Sequence, residues 1–496
     1  MKLVKKITAI FMVVLLTLNI TLVTVFAEDA DQFANTWLAD GVRAESFADG
    51  HTFGDGTGQS ANNPYLISSA AELAYLSYSI IKNEEDSSDC YCKLTNDITN
   101  LGDHMWVPIA YFYGTFEGAG NTINGLTCDE TVMSDGGVGG LFGALFGAVQ
   151  NLSLTNVDIS SISYTGDFAV GAVTPFNLGR VINCRTDGKI NITAEGNSYI
   201  GGLVGLNYGF IYSSYSQCKV SITSIPHDNN SYSMSVAGGL VGANEYQIDE
   251  ESGKKTGLIV NSFSAATTTD NTKVAEGETA PNLIGTLCGI WGGDGPVSDS
   301  LSCCYYVSDN NNTHPINVYN EDADDYVSVD PISNSMSELT ATDANKSAFF
   351  TNASNWVATT AFTNYLSTVA YSDGKNTVSP IAWDAKYWHQ PTSGQTGYPY
   401  PQLKNPTDLP SSTPPTTPTM KKSDKTVTIS GSEDADSDLD HYEYKIGEDG
   451  KWISGNSINM SDLSPGATTL YSRAVDKAGN ISDEASLEVT IANPAS

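Results

Sequence analysis

Five copies of a two-part glycine motif constrain this chain more than any other feature of it. The first part reads Gly-Gly-Leu-Phe-Gly from Gly139, Val-Gly-Ala-Val-Thr from Val170, Gly-Gly-Leu-Val-Gly from Gly201 and again from Gly238, and Gly-Thr-Leu-Cys-Gly from Gly285. The second part, Gly-x-Val/Ile-x-Asn/Ser/Asp, begins at Gly147, Gly179, Gly209, Gly257 and Gly295. The copies start 31, 31, 37 and 47 residues apart. A period of this size marks a stacked repeat, because one such unit cannot bury its own apolar face and needs neighbours above and below.

Aligned column by column, the copies keep their chemistry. Leu141, Ala172, Leu203, Leu240 and Leu287 form one apolar column, and Val149, Val181, Ile211, Ile259 and Val297 a second. Asn151, Asn183, Ser213, Asn261 and Asp299 form a polar column, read as an inward amide ladder whose members bond along the stack. The single acid there, Asp299, is read as a ladder variant rather than a catalytic acid. Paired glycines fall where the chain turns sharply or where a Cβ would crowd the neighbouring coil. Ala243 to Thr256 is an outward insertion in the fourth copy. The expected architecture is all-β, a parallel solenoid in which each coil lays short strands over those of the coil below.

Composition and the N-terminus add a setting. Charged residues make up only 16% of the chain while Gly fills 45 positions and Tyr 25, a mix poor in helix formers and rich in turn and strand residues. Lys2, Lys5 and Lys6 precede an apolar run from Ile7 to Ala27, which reads as a signal peptide over residues 1–27 and implies secretion. The formal charge is 24 − 57 = −33, or 21 − 57 = −36 without the three leader lysines. Such acidity repels nucleic acid and anionic membrane surfaces, so neither is expected as a direct partner. Eight cysteines follow the leader: Cys90, Cys92, Cys128, Cys184, Cys218, Cys288, Cys303 and Cys304. The even count admits disulfides, burial as free thiols is the alternative, and the spacing supports no particular pairing.

The form Gly-Gly-Leu-Val-Gly-x-Asn-x-Gly-x-Ile, clearest from Gly201 to Ile211, resembles the GLUG motif of bacterial surface proteins. The resemblance extends upstream through Asn63-Pro64-Tyr65-Leu66-Ile67-Ser68, Ala71-Glu72-Leu73-Ala74-Tyr75-Leu76 and Lys93-Leu94-Thr95-Asn96-Asp97-Ile98. It implies a right-handed parallel β-helix, similar to regions of adhesins and of IgA-specific metallo-endopeptidases, and implies no activity by itself. Read directly, Ser69 and Glu72 make a capping box and Leu73, Leu76 and Ile80 a helical stripe, a short helix suited to closing one end of the stack. The β-helix is expected over residues 28–403, with an N-terminal cap over 28–105 and an aromatic-rich C-terminal cap over 305–403. Trp356 and Trp388 belong to that second cap; packing is their expected use, a sugar platform the alternative.

Pro406, Pro410, Pro414, Pro415 and Pro418 make residues 404–422 an extended, semi-rigid linker. Beyond it, alternating segments at Thr426–Ile429, Tyr442–Ile446, Thr469–Val475 and Leu487–Ile491 predict a small β-sandwich over residues 423–496. It resembles a fibronectin type III or bacterial immunoglobulin-like module, with one strand missing or short given its size.

Signs of catalysis are scarce. The six histidines, His51, His104, His227, His314, His389 and His441, are scattered, and none stands in the His-Glu-x-x-His pattern of zinc peptidases. No Gly-x-Ser-x-Gly elbow and no phosphate-binding Gly-Lys-Ser/Thr loop occurs. The run Glu433, Asp434, Asp436, Asp438 and Asp440 starts like a calcium loop but has Lys445 where the closing Glu belongs. No catalytic, cofactor-binding or metal-binding residue is nominated, and no cofactor. The expectation is a secreted or cell-surface, non-enzymatic adhesive protein that binds an extracellular glycan or a host or bacterial surface protein. The alternative is a carbohydrate-active β-helix enzyme, a polysaccharide lyase or glycoside hydrolase, with an accessory sandwich. Two or three close carboxylates in a groove would favour the enzyme; a flat face of Asn, Ser, Thr and Tyr would favour the binder.

Overall fold

The computed structural model describes residues 35–83, 90–129, 131–132, 138–164, 168–226, 233–248, 255–273, 282–293, 295–308, 314–320, 325–333, 335–339, 349–350, 352–356, 383, 388–389, 400–403, 415–433, 439–448, 450–476 and 481–491. The leader segment and most of the proline-rich linker lie outside them. The chain divides into two compact units, Met1–Trp388 and His389–Ser496.

Among the described residues the first unit is all-β apart from the helix Ala70–Asn83 and a few single turns, and its strands pair mostly in parallel. Among the described residues they form sheets of sixteen, nine and five strands. The chain visits the sheets in a fixed order. Phe168–Gly171 lies in the five-stranded sheet, Thr174–Asn177 in the nine-stranded one and Arg180–Ala194 in the sixteen-stranded one. The next visits, Ser198–Gly201, Val204–Asn207 and Phe210–Tyr212, pair in register on those three strands. Repetition in sequence has become repetition in space.

Two glycine positions of the motif have distinct steric reasons. A Cβ on Gly201, Gly238 or Gly285 would lie 1.9, 1.8 or 1.8 Å from the carbonyl oxygen three residues on, so the corner cannot close around a side chain. A Cβ on Gly205 would sit 3.0 Å from the Val170 oxygen and 3.1 Å from that of Tyr199. Those carbonyls belong to the five-stranded sheet, so this glycine lets two sheets approach backbone to backbone.

The apolar columns are buried as the repeat predicts. Leu141, Ala172, Leu203, Leu240 and Leu287 are all fully buried, as are Val149, Val181, Ile211 and Ile259. The fifth copy of the second part needs correcting. Ile259 pairs with Leu301, not Val297, because residues 297–299 form a detour of 3-10 helix outside the column. Cys303 therefore takes the place given to Asp299. Asn151, Asn183, Ser213, Asn261 and Cys303 all have φ between 45° and 55°. Their column marks a left-handed corner, which explains its preference for Asn. Asp299 instead faces Lys255, Oδ2 to Nζ 3.5 Å.

The corner ladder is real but short: Asn183 Nδ2 donates to Asn151 Oδ1 at 3.0 Å, and Asn151 Nδ2 to Glu117 Oε1 at 3.0 Å. A second ladder, fully buried, runs through Asn177, Asn207 and Asn244. Asn177 donates to Asn207 and Asn207 to Asn244, each at 2.7 Å, and Asn244 closes on the Gly257 carbonyl at 2.8 Å. Each interior amide is satisfied by its neighbour, which removes the cost of burying it.

Helix α1 (Ala70–Asn83) starts at the expected capping box. Glu72 N–H donates to Ser69 Oγ at 3.3 Å and Ser69 N–H to Glu72 Oε2 at 3.1 Å. Leu73, Leu76 and Ile80 point into the core. At the other end of the nine-stranded sheet, Ile316–Asn320 turns back as Asp325–Val329 and pairs antiparallel, which ends the parallel stack. The insertion is also a hairpin, with Ile248 opposite Lys255.

The second unit contains antiparallel sheets of three and four strands. Thr419–Lys422, Thr426–Ser430 and Ser457–Asn459 make the first; Ile453–Ser454, Leu439–Ile446, Gly466–Asp476 and Ala485–Ile491 make the second. Val427, Ile429, Ile458, Leu470 and Val489 fill the core between them. The strand Thr419–Lys422 begins inside the stretch whose composition reads as linker, and Ile453–Ser454 is only two residues long.

Candidate binding face

The sixteen-stranded sheet has the longest passes of chain, and its outer side divides into two stretches. In the later stretch the alternation is strict. Ile159, Ile190 and Val220 point inward and are buried, in register with one another. Between them, Asp158 and Ser160, then Lys189, Asn191 and Thr193, then Lys219, Ser221 and Thr223, then Thr267 and Thr269 point outward. Lys189 pairs with Lys219 and Lys219 with Thr267; Asn191 pairs with Ser221 and Ser221 with Thr269. The result is a grid of ammonium, carboxylate, amide and hydroxyl groups, about 4.8 Å apart from strand to strand.

The grid is held by bonds along the stack. Ser221 Oγ donates to Asn191 Oδ1 at 2.8 Å, and Lys189 Nζ lies 3.0 Å from Asp158 Oδ2. Lys189, Asn191, Lys219 and Thr267 are exposed. Charges on the grid cancel: Asp158 and the adjoining Asp129 offset Lys189 and Lys219. That balance stands out on a chain whose formal charge is −33.

The earlier stretch of the same outer side is aromatic. Tyr215 pairs with Phe263 and Phe263 with Tyr305, and the first two rings stack at 4.5 Å. Trp383, Phe350, Trp356 and Trp388 cover them. Trp383 lies 5.3 Å from Phe263 and Trp356 lies 4.9 Å from Tyr305. Trp388 Nε1 donates to Asn183 Oδ1 at 3.0 Å, and Tyr305 Oη donates to the Asn355 carbonyl at 2.5 Å. Trp356 and Trp388 are 3% and 4% exposed, so neither offers a sugar platform in this state. They pack along the side of the sheet rather than over the end of the stack.

The other chemistry read from the sequence stays dispersed. His51 Nδ1 sits 2.8 Å from Asp55, whose carboxyl is held down to about 2 chiefly by the Thr57 backbone N–H. His441 Nε2 lies 3.7 Å from Glu443, and His104 packs edge-on against Trp37. His227 and residues 434–438 of the acidic run lie outside the described residues. Among the described residues no three His, Cys, Asp or Glu side chains come together as a metal site would require. All eight cysteines are buried and free. Burial pushes the Cys128, Cys184, Cys218 and Cys304 thiols up to about 12, which withholds the nucleophilic thiolate. Among the described residues no helix is long and apolar enough to cross a membrane.

The exposed grid and the second Asn ladder both escaped sequence reasoning. The ladder had a signal, the Asn two residues after each Gly-Gly-Leu-Val-Gly. The grid's signal was alternation of Lys-x-Asn-x-Thr (189–193) and Lys-x-Ser-x-Thr (219–223), spaced by one repeat.

No family model matches the chain. Halomucin of Haloquadratum walsbyi is 30% identical over 166 residues, 31% of this chain. The chain spans only 2% of Halomucin's length. A crystal structure of a Bacteroides ovatus protein, provisionally named an immunoglobulin A1 protease, shares 16% identity, covering 70% of this chain and 94% of its own. Its TM-score of 0.36 is too low to carry over fold or activity.

Proposed function

We propose that this chain is a secreted or cell-surface binding protein rather than an enzyme. Its three parallel sheets are read as the faces of a right-handed β-helix of the GLUG type. The second unit is read as a fibronectin type III or immunoglobulin-like spacer, and the sheets of three and four strands among its described residues agree with that. The observation that carries the reading is the exposed polar grid around Asn191 and Ser221, a surface suited to contact over a long, shallow area. The likeness to a stretch of a protein named as a mucin fits an extracellular setting. The partner is an extracellular glycan or a surface protein; nucleic acid is disfavoured by the net charge.

The test is to incubate the full chain with a panel of polysaccharides, mucins and surface-protein extracts, measuring retention and product release together. Retention without release is expected. Product release that disappears on replacing a single Asp or Glu would replace this reading with that of a carbohydrate-active enzyme.

A further inference from the structure

We infer that the grid recognises an uncharged polysaccharide lying along the stack, one sugar residue to each strand. The inference rests on the grid being the binding face. Three observations favour this occupant. First, Lys189 is already satisfied by Asp158 at 3.0 Å, and the grid's other lysine, Lys219, is matched in number by Asp129 beside the grid. A polyanion would meet little net attraction here and the repulsion of a chain at −33. A polycation would be drawn to the acidic remainder of the surface and would meet Lys219 on the grid. Second, every rung from Asp158 and Ser160 to Thr267 and Thr269 offers both hydrogen-bond acceptors and donors, as a chain of sugar hydroxyls requires. Third, the rung spacing of about 4.8 Å is close to the length of one sugar residue in an extended chain, so successive residues can meet successive rungs in the same way. The aliphatic stems of Lys189 and Lys219 supply apolar surface for the ring faces.

Retention of dextran, mannan, xylan and β-glucan by the immobilised full chain tests this against polygalacturonate and chondroitin sulfate. At least one neutral polymer should be retained. Its apparent Kd should change less than about twofold between about 0.1 M and about 1 M salt, over which the screening length falls from ~10 Å to ~3 Å. Asn191→Ala combined with Ser221→Ala should weaken retention at least about tenfold, because several hydrogen bonds are lost together. Lys189→Gln combined with Lys219→Gln should weaken it less than about threefold, since no charge is being read. Preferential retention of an acidic polymer, lost in salt or in the double Gln variant, overturns the uncharged occupant and leaves the grid as the binding face. Retention of surface protein but no polysaccharide does the same. Neutral retention untouched by the Ala pair and by Thr193→Trp overturns both the occupant and the face. All variants lie on exposed or half-exposed positions, and unchanged thermal midpoints would exclude misfolding as the cause.

Discussion

Along one pass of the chain, Tyr215 and Ser221 sit six residues apart on the same side of the same sheet, yet one is buried under tryptophans and the other meets solvent. The backbone beneath them is the same parallel ladder. The difference lies in what each column repeats. Tyr215, Phe263 and Tyr305 place a ring on three successive visits, and a second aromatic layer keeps that much apolar surface from water. Asn191, Ser221 and Thr269 repeat groups that water satisfies already. In a stacked fold, a choice of residue type at one position is multiplied by the number of strands, so a stretch becomes core or interface as a whole.

Phe263→Ala gives the largest expected effect and would break the comparison outright if it failed. Phe263 is fully buried between Tyr215, Phe350 and Trp383. Its truncation should cost about 3–5 kcal/mol in urea unfolding followed by tryptophan fluorescence. A loss below about 1 kcal/mol would mean the aromatic layer does not cover this stretch. Asn183→Ala comes next, at about 2–3 kcal/mol. It removes the bonds to Asn151 and Trp388 and replaces asparagine, which tolerates left-handed backbone, by alanine, which does so less well, at a corner with φ 49°. Asn183→Gly keeps the corner and should cost only about 1 kcal/mol, which separates the anchoring of Trp388 from backbone strain.

A smaller effect is expected in alkali. Burial pushes the Tyr305 phenol from 10 up to about 12. A group whose neutral form is favoured in the folded state contributes stability that is whole below about 10 and fades as pH rises towards 12. Spectrophotometric titration of wild type against Tyr305→Phe should show one phenol ionising late, and Tyr305→Phe should flatten the loss of stability over that window. Ser221→Ala closes the series, with a stability change within about 0.5 kcal/mol in the same urea experiment. A larger cost would mean the grid is held by a cover of its own.

How far the sequence could be read follows from the same physics. Leu141, Leu203, Leu240 and Leu287 were legible because their phase against the glycines repeats with the motif, and all are buried. Val297 and Asp299 misled because Gly295-Pro296-Val297-Ser298-Asp299 matches the motif by chance, while the chain takes four more residues to return to register at Leu301 and Cys303. The polar column was recognised but its cause was not, since a left-handed φ leaves only a preference for Asn, and Ser213 and Cys303 share it. The aromatic cover was illegible: Trp388 meets Asn183 across 205 residues with no period to announce it.

The eight buried thiols put a clock on the life of this molecule. Once the chain is folded, an oxidant finds no thiolate at Cys128, Cys184, Cys218 or Cys304, and no cross-link is needed to hold the stack. Before folding, each of those sulfurs is an ordinary cysteine, open to disulfide exchange with any neighbour. In an oxidising medium, folding itself is then the protection, because the finished protein presents none of those four sulfurs as a thiolate.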